Sequence, residues 1–459
     1  MILKIQNKHW LWMAIMGAAM ALLWLFSIVS SSQAQIEPER PQATGGSGLG
    51  FSAASTSNDL VIFDMATGIA NANTIGLLPE GQYPYDATMN PAGTQVWLSG
   101  ASGEGLIVVD ALSPAIVQRI PNLGDYPVDV VFSKDGQLAY VSSRNTADDI
   151  QIIDTTTYTV VGSIPVPDYS SGTGKMRTNH CNGDLYAVNW FDDRFFVINP
   201  LSQTVTTDMS FGASLWDLTI DPTATTLYIA DRGTPDVVHV FDIATLTTTT
   251  SIPVGSDPWG IDITPDGRYV LVANEDSHDV SVIDTTTNAV TTTIFLAADA
   301  DPRDIDINAA GTLAYVTAGA IDGPGPDGIY VIDLATFQVV DIIYSPAGGG
   351  SNTNVVAVAP DFASLDPIAS FTTTTPVEAG TPIQFFDTSS NNPTAWEWDF
   401  GDGLGNSTEQ NPTYNYASPG TYTVTLTVEN DCGISSSQES ITVKPPSHSD
   451  LYLPFIGKD

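Results

Sequence analysis

A short phrase recurs along the chain at intervals of 42–49 residues, and it constrains the fold more than any other feature. Each copy is an apolar run that ends in a carboxylate or an amide, and the ending residues are Asp64, Asp110, Asp154, Asn199, Asp242, Asp284 and Asp333. A repeat of this length forms stacked supersecondary units, because one unit alone cannot bury its apolar face. The seven copies therefore predict seven units.

Each unit contains four short segments that are typical of β-strands. In the fifth unit these segments are rich in Val and Thr and span 237–242, 247–254, 261–264 and 269–273. The tight turn Pro265-Asp266-Gly267 separates the last two. Four strands per unit at this period are typical of a β-propeller blade. The prediction is an all-β chain with a seven-bladed propeller over residues 50–362.

The two ends of the repeat region are predicted to meet in one shared blade. The first segment, 50–54, resembles the second strand of the other units, and the last segment, 355–358, resembles their innermost strand. Sharing a blade in this way ties the ends of the ring together and removes a free sheet edge.

The unit resembles the YVTN β-propeller repeat. Ala314-Tyr315-Val316-Thr317 and Ala139-Tyr140-Val141-Ser142 match its central strand, and Pro258-Trp259-Gly260 matches the approach to its inner strand. Two units depart from the pattern. Between residues 169 and 190 the Asp-Gly turn is missing and Lys175, Arg177, His180 and Cys181 occur instead, and Asn199 replaces the strand-ending Asp.

Residues 366–444 break the repeat and carry two other motifs. Trp398-Asp399-Phe400-Gly401-Asp402-Gly403 is followed by Pro419-Gly420-Thr421-Tyr422 and a strictly alternating run to Val428, which is typical of a half-buried strand. This segment resembles the PKD domain, which implies a small immunoglobulin-like β-sandwich. The resemblance implies that Trp398 lies in the core and that Asp399 and Asp402 shape the adjacent turn. Calcium binding by these carboxylates is the alternative.

The ends of the chain indicate export. Residues 1–34 combine Lys4 and Lys8 with a long apolar run and small residues at 32–34, as in a signal peptide. The apolar run is also long enough to span a bilayer if it is not cleaved. Residues 35–49 form a predicted linker, and residues 445–459 form a C-terminal tail that either packs on the sandwich or serves as an anchoring tag. The expected location is secreted or at the cell surface.

The charge balance excludes one class of partner. The chain has 14 Lys and Arg against 52 Asp and Glu, a net charge of −38. Nonspecific binding to nucleic acid requires cationic contacts with phosphate, so we expect no nucleic-acid partner. The only cysteines, Cys181 and Cys432, fall in different predicted domains. A disulfide between them would require docked domains, and we expect none.

The candidate site lies on one face of the propeller. Connections into each inner strand and out of each second strand meet on the same face, and aromatic, Arg and acidic residues concentrate there. The candidate ligand-binding residues are Tyr85, Asp86, Asp129, Arg144, Trp190, Asp192, Trp216, Asp217, Arg232, Trp259, Glu275, Arg303 and Asp304. Aromatic platforms mixed with Arg and carboxylates suit sugars or peptide side chains. The structural alternative is that each Asp bonds the neighbouring blade and each Trp seals the channel.

Two functions follow. The first is a non-catalytic surface or extracellular protein whose propeller binds a glycan or a surface protein, with the PKD domain as a spacer or docking module. The PKD–propeller combination resembles proteins of microbial surface layers. The second is a secreted propeller hydrolase or lactonase with a metal in the central channel. The propeller histidines 180, 239 and 278 lie in different repeats, and no Gly-X-Ser-X-Gly motif occurs, so we favour binding. We expect no cofactor, with calcium as the open alternative.

Overall fold

The protein is all β in the part of the chain that the computed structural model describes. The described residues are 48–54, 59–65, 67, 69, 75–76, 84–100, 105–123, 126–144, 149–167, 172–212, 214–319, 328–344, 353–358, 366–374, 378–391, 393–430 and 432–446. None of these residues belongs to a helix that could cross a membrane. The predicted signal peptide, most of the linker and most of the C-terminal tail lie outside the described residues.

Seven four-stranded antiparallel sheets form the blades of a propeller. Blade 1 contains β1 (Leu49–Ala54), β2 (Asp59–Asp64) and β3 (Ile75–Gly76), and blade 2 contains β4 (Pro84–Met89), β5 (Gln95–Gly100), β6 (Leu106–Asp110) and β7 (Ile116–Ile120). Blade 3 contains β8 (Pro127–Phe132), β9 (Leu138–Ser143), β10 (Ile150–Asp154) and β11 (Thr159–Ile164), and blade 4 contains β12 (Met176–Thr178), β13 (Leu185–Asn189), β14 (Arg194–Asn199) and β15 (Thr204–Ser210).

The remaining blades follow the same order from the centre outward. Blade 5 contains β16 (Leu215–Ile220), β17 (Thr226–Asp231), β18 (Val237–Asp242) and β19 (Thr247–Pro253), and blade 6 contains β20 (Pro258–Ile263), β21 (Tyr269–Asn274), β22 (Asp279–Asp284) and β23 (Ala289–Phe295). Blade 7 contains β24 (Pro302–Ile307), β25 (Leu313–Ala318), β26 (Gly328–Asp333) and β27 (Gln338–Tyr344).

The ring closes within blade 1, as the sequence predicts. The late strand β28 (Thr353–Ala357) is the innermost strand of this blade and pairs antiparallel with β1, so that Phe51 lies opposite Ala357. The Ser52 hydroxyl also donates to the Val355 carbonyl at 2.8 Å. The first and last strands of the propeller therefore protect each other's edges.

The core lies between the blades. Facing sheets bury rows of Val, Ile, Leu and aromatic side chains; one such cluster joins Phe63 of blade 1 to Tyr315 of blade 7, with ring centroids 5.5 Å apart. The outer strands are different because every second residue faces solvent, as in the exposed–half-buried alternation of β15. Burial on both faces of the second and third strands, as in β21 and β6, explains their nearly continuous apolar composition.

The repeated strand-ending Asp closes the turn that follows it. The Asp154 Oδ1 atom accepts hydrogen bonds from the backbone N–H groups of Thr156 and Thr157, at 2.9 and 2.7 Å. Short polar side chains that bond their own backbone two or three residues onward stabilise such turns. The repeat therefore reflects turn chemistry at the end of each third strand, and these aspartates form no part of the candidate site.

The C-terminal sandwich contains two sheets. One comprises β29 (Phe371–Thr373), β30 (Ile383–Asp387) and β33 (Thr413–Tyr414), and the other comprises β31 (Ala395–Asp399), β32 (Asn406–Ser407), β34 (Gly420–Asn430) and β35 (Gly433–Val443). Trp398 is fully buried between them, as predicted. The Asp402 carboxylate accepts from the backbone N–H of Leu404 and from the Tyr414 hydroxyl, so both of its oxygens hold the turn.

The two domains are covalently joined, and here the sequence-based expectation of unpaired cysteines is wrong. Cys181, in the turn after β12, forms a disulfide with Cys432 of the sandwich. Lys134, in the turn after β8, contacts the sandwich beside this disulfide. Its Nζ lies 2.6 Å from Asp366 Oδ1 and 2.8 Å from the Cys432 carbonyl oxygen. The sandwich therefore contacts the propeller at turns that follow inner strands.

Candidate functional site

Strand direction assigns the candidate residues to one face of the propeller. Tyr85, Trp216, Trp259 and Arg303 lie at the beginnings of inner strands, and Arg144, Trp190, Arg232 and Glu275 lie just after the ends of second strands. Adjacent antiparallel strands place the start of one beside the end of the other. The turns that hold the sandwich follow the ends of inner strands. The candidate face and the docked sandwich are therefore on opposite sides of the ring.

On this face the side chains form a continuous aromatic–arginine arc across six blades. Tyr85 and Trp190 have ring centroids 6.3 Å apart, and Trp190 stacks on Trp216 at 4.6 Å with an interplanar angle of 10°. Trp216 and Trp259 follow at 4.5 Å. The arc's members are Arg144, Tyr85, Trp190, Trp216, Arg232, Trp259, Arg303 and Glu275.

The Trp216 ring packs against two other members of the arc. Trp190 stacks on it at 4.6 Å, and the Arg232 guanidinium carbon lies 4.2 Å from its centroid. Trp190 is itself 6% exposed, and its indole N–H donates to the Trp216 carbonyl. This part of the arc packs neighbouring blades together through stacking and cation–π contacts.

The arginines in the middle and at the far end of the arc are paired with carboxylates. Arg232 forms a bidentate contact with Asp257, and its guanidinium also lies 4.5 Å from the Trp259 centroid. Arg303 donates to Glu275 Oε1 through Nε at 3.0 Å and through Nη2 at 2.8 Å. Burial raises the pKa of Glu275, and the Arg303 charge opposes that shift.

The other end of the arc differs because its groups are exposed. Arg144 is exposed, donates through Nη1 to the Tyr85 hydroxyl at 3.0 Å, and has its guanidinium carbon 5.1 Å from the Phe191 ring centroid. Phe191 is 53% exposed. Tyr126, 46% exposed, accepts a hydrogen bond at its carbonyl from the Arg144 backbone N–H.

Three of the five candidate aspartates join neighbouring blades. Asp129 accepts a hydrogen bond from the Met176 amide of blade 4, Asp217 from the Ile261 amide of blade 6, and Asp304 from the Val356 amide of blade 1. The structural alternative from the sequence therefore describes what these three carboxylates do. Asp86 differs from these three, since its carboxylate accepts hydrogen bonds from the Thr88 hydroxyl and from a lysine.

That lysine, Lys175, is buried among the channel carboxylates. Its Nζ lies 2.5 Å from Asp86 Oδ1 and 3.6 Å from Asp129 Oδ1. These charges hold the pKa of Lys175 above its usual range, against desolvation that would lower it. Arg177 adds a second cation, with Nη2 3.4 Å from Asp217 Oδ1. The ammonium group of Lys175 thus lies where a divalent cation would meet the carboxylates.

The channel carboxylates differ in their affinity for protons. Burial raises the pKa of Asp304 to about 7. Burial and the neighbouring Asp86 raise the pKa of Asp129 well above its usual value. Although burial alone would raise the pKa of Asp86, the Lys175 charge and its hydrogen bonds lower it. The charge in the channel therefore depends on pH near neutrality.

The structure places the remaining candidate, Asp192, on the turn after β13, where its backbone N–H donates to Asn189 Oδ1. Among the described residues, no group of three or more His, Cys, Asp or Glu is arranged to hold a metal ion. Sequence reasoning missed the roles of Lys175 and Asp257, and it missed Phe191 altogether. It places Tyr126 at the approach to an inner strand on this face, but not among the candidate ligand-binding residues. Phe191 directly follows Trp190, so the same strand-end rule could have found it.

Comparisons with known proteins agree with this architecture. Residues 364–445 match the PKD domain model, and residues 194–295 match the model "Lactonase, 7-bladed beta-propeller". Over 65 residues, the chain is 48% identical to Collagenase ColA of Bacillus cereus; the match covers 13% of this chain and 7% of the collagenase. The chain thus spans only a small fraction of that relative.

Two solved structures share the fold. Hydrazine synthase of Kuenenia stuttgartiensis aligns with a TM-score of 0.54 and 16% identity, over 66% of this chain and 99% of that one. A functionally unknown protein from Desulfotomaculum acetoxidans aligns with a TM-score of 0.58 and 15% identity, over 68% and 99%. At these identities the likeness concerns the fold alone. The chain therefore consists of a seven-bladed β-propeller followed by a C-terminal PKD domain.

Proposed function

We propose that this chain is an exported, non-catalytic binding protein whose propeller recognises a glycan on the face that carries the aromatic–arginine arc. The observation that carries the proposal is the continuity of the arc: strand ends from six blades bring aromatic and guanidinium groups together on one side. Aromatic groups with a few oriented polar groups are typical of ligand sites. A surface protein is the alternative ligand.

The position of the PKD domain supports this orientation. Cys181 and Lys134 hold it at turns on the side of the ring opposite the arc. A domain fixed there leaves the arc face directed away from it. The PKD domain then acts as a spacer or docking module that joins the propeller to other surface material, in the manner of a surface-layer component.

Three observations support export. Residues 1–34 have the composition of a signal peptide. The Cys181–Cys432 disulfide suits an oxidising compartment, because cytosolic thiols are kept reduced. The PKD segment matches part of a collagenase, an enzyme class whose substrate, collagen, lies outside cells. The expected location is the cell surface or the medium.

The direct test is binding of the secreted chain to isolated cell-wall polysaccharide. In the variant Trp216→Ala with Trp259→Ala, we expect binding to weaken about tenfold or more, because two adjacent aromatic anchors at a site centre typically contribute at least 1–2 kcal/mol each. A matched control is Leu112→Ala with Leu201→Ala, which removes two exposed apolar side chains at turns on the opposite side.

Both variants are first checked by thermal melting, since Trp216 also packs against neighbouring blades. Saturable wild-type binding that is lost only in the Trp variant supports the proposal. Equal binding by the wild type and a folded Trp variant would show that the arc is not the site.

A second function is supported by the match of residues 194–295 to a lactonase propeller model. Buried carboxylates also surround the channel, although Lys175 lies among them. The test is elemental analysis together with thermal melting in the presence and absence of a chelator. About one metal per chain and a chelator-sensitive melt would favour a hydrolase with a channel metal, as expected when a ligand binds only the folded state.

A further inference from the structure

The three arginines of the arc differ in what already binds them. Arg232 and Arg303 are half-buried, and each binds a carboxylate of this chain, Asp257 and Glu275 respectively. Arg144 is exposed, and no carboxylate among the described residues forms an ion pair with it. Among the residues that the structure describes, its side chain donates one hydrogen bond, to the neutral hydroxyl of Tyr85. A guanidinium has five N–H donors, so most of its donor capacity remains for a ligand.

The surroundings of Arg144 add apolar surface to this positive charge. Phe191 lies beneath the guanidinium and Tyr126 is bonded to its backbone, and both rings are about half exposed. The whole chain has a net charge of −38, so an exposed arginine without a carboxylate partner in the described structure is a local exception. Long-range repulsion would oppose binding of an anion elsewhere on this protein.

We propose that the Arg144 end of the arc is a carboxylate subsite that takes an acidic sugar residue, such as a uronic acid within a polysaccharide. The planar guanidinium matches a carboxylate in a bidentate geometry. The apolar C–H face of the same pyranose ring packs on Phe191 or Tyr126. This inference rests on the proposed glycan-binding function, and it specifies the chemical class of the ligand.

A sugar suits this position better than an acidic peptide for a geometric reason. The charged donor and one exposed ring lie within one side chain's length of each other, since the Arg144 guanidinium carbon is 5.1 Å from the Phe191 centroid. A uronic acid carries its carboxylate directly on a rigid ring, so one residue can contact both groups. An extended acidic peptide places its carboxylates on flexible chains and gains less from the neighbouring rings.

The experiment measures binding of the full secreted chain to oligogalacturonate and to the same oligosaccharide after reduction of its carboxyl groups. For Arg144→Gln we expect about 10- to 100-fold weaker binding of the acidic form, since the charge-assisted hydrogen bonds from the guanidinium to the carboxylate are lost. Binding of the reduced form should be unchanged. Arg144→Lys keeps the charge but loses the planar fork. Its affinity for the acidic form should therefore fall between those of the wild type and Arg144→Gln.

Arg119→Gln is the matched control, because Arg119 is also an exposed arginine but lies on the outer strand β7. It should bind both oligosaccharides as the wild type does. Equal binding of the acidic and reduced forms, with no effect of Arg144→Gln, would overturn the carboxylate subsite and leave glycan binding intact. Competition by oligoglutamate as strong as by oligogalacturonate would also overturn it, in favour of an acidic peptide. Failure of both oligosaccharides together with cell-wall polysaccharide would instead refute the proposed function.

Discussion

Blade 7 and blade 4 are both four-stranded blades of the ring, but their inner strands and the turns that follow those strands are built differently. In blade 7 the inner strand has six residues, and Asp304 and Asp306 bond the amides of Val356 and Val358 in the next blade. In blade 4 the inner strand has three residues, and Lys175 and Arg177 lie where blade 7 has acids. Blade 7 supplies hydrogen-bond acceptors to the next blade, whereas blade 4 supplies cations to the channel.

The turns after the inner strands differ in the same way. In blade 7, Asn308 Oδ1 accepts the amides of Thr312 and Leu313, and Gly311 adopts φ 65° to close a tight turn. In blade 4 the corresponding turn runs from Asn179 to Asp184 and carries the disulfide to the sandwich. Departures from the repeat therefore mark where a blade contacts something other than the next blade.

The largest expected effect comes from removing the channel cation of blade 4. Lys175→Met leaves Asp86 and Asp129 buried without their ammonium partner, and breaking a buried pair in this way costs about 3–5 kcal/mol. The measurement is the free energy of unfolding in urea. Arg268→Met in blade 6 is the control, because the Arg268 side chain is about half exposed and Asp284 keeps the Thr286 amide as a partner, so the loss should change stability little.

If the two variants lose equal stability, the channel lysine is no more than another surface charge and blade 4 is not special. A calcium-dependent rise in the melting temperature of Lys175→Met, absent from the wild type, would sharpen the comparison further. It would show that the ammonium group occupies a latent cation site.

The next effect concerns the contact between blade 4 and the sandwich. The disulfide closes a loop with a sequence separation of 251 residues, and a cross-link between distant residues typically contributes about 2–4 kcal/mol. Cys181→Ser with Cys432→Ser should lower stability by that amount. Lys134→Ala should cost less, about 0–1 kcal/mol, because its ion pair with Asp366 is partly exposed.

The readout is thermal melting under reducing and nonreducing conditions. The double Ser variant should melt alike in both, whereas the wild type should melt lower when reduced. Identical melting of the oxidised and reduced wild type would mean that the disulfide contributes nothing to stability, and blade 4 would then differ from blade 7 only in its channel charges.

Blade 7 contributes its own pH dependence through Asp304. Its pKa of about 7 in the folded chain exceeds the unfolded value of about 3.9. The folded state therefore holds the proton more tightly, and stability from this group is present at low pH and lost as the pH rises through about 7. Asp304→Asn keeps an acceptor for Val356 but does not titrate.

From about pH 5 to about pH 8 the wild type should lose about 1–3 kcal/mol more than Asp304→Asn. Urea unfolding at several pH values measures this difference. Asp129 titrates in both proteins, so its contribution largely cancels. Parallel curves for the two proteins would show that Asp304 is ionised throughout this range and that the Lys175 charge from blade 4 dominates its environment.

Regular elements could be predicted from the sequence because they depend on local rules. The seven blades follow from the strand-ending residues and the Asp-Gly turns, and the shared blade follows from the likeness of 50–54 and 355–358 to strands elsewhere. The sandwich core at Trp398 follows from its motif. Each of these conclusions rests on the sequence of a single unit, or on the likeness of one segment to the same segment in another unit.

The remaining features depend on contacts between units, which a local pattern does not encode. The sequence shows that Trp216 is an aromatic residue near the start of an inner strand. Only the structure shows that its ring packs against Trp190 and Arg232. Cys181 and Cys432 are far apart in sequence, and their pairing depends on how the sandwich docks. Lys175 was visible as a departure from the repeat, but its partners Asp86 and Asp129 come from two other blades.

The smallest expected effect tests why blade 4 ends its third strand in Asn199. In blade 7 the equivalent Asp333 accepts the Thr336 amide at 2.8 Å, and Asn199 accepts the Ser202 amide in the same manner. Asn199 also donates through Nδ2 to Asp184 Oδ1 at 3.2 Å. Burial raises the pKa of Asp184, so this carboxylate already carries its charge at a cost.

Asn199→Asp would restore the residue of the repeat but replace that donor with a second carboxylate. We expect a loss of about 0.5–1 kcal/mol near pH 7, because one hydrogen bond is lost and two like charges meet. The loss should shrink under acidic conditions, because the raised pKa of Asp184 favours protonation of that carboxylate as the pH falls. Asp333→Asn, which keeps the acceptor, should change stability little. If Asn199→Asp is neutral at both pH values, the departure at this position has no electrostatic cause, and the irregularity of blade 4 is confined to its inner strand and the turn that follows.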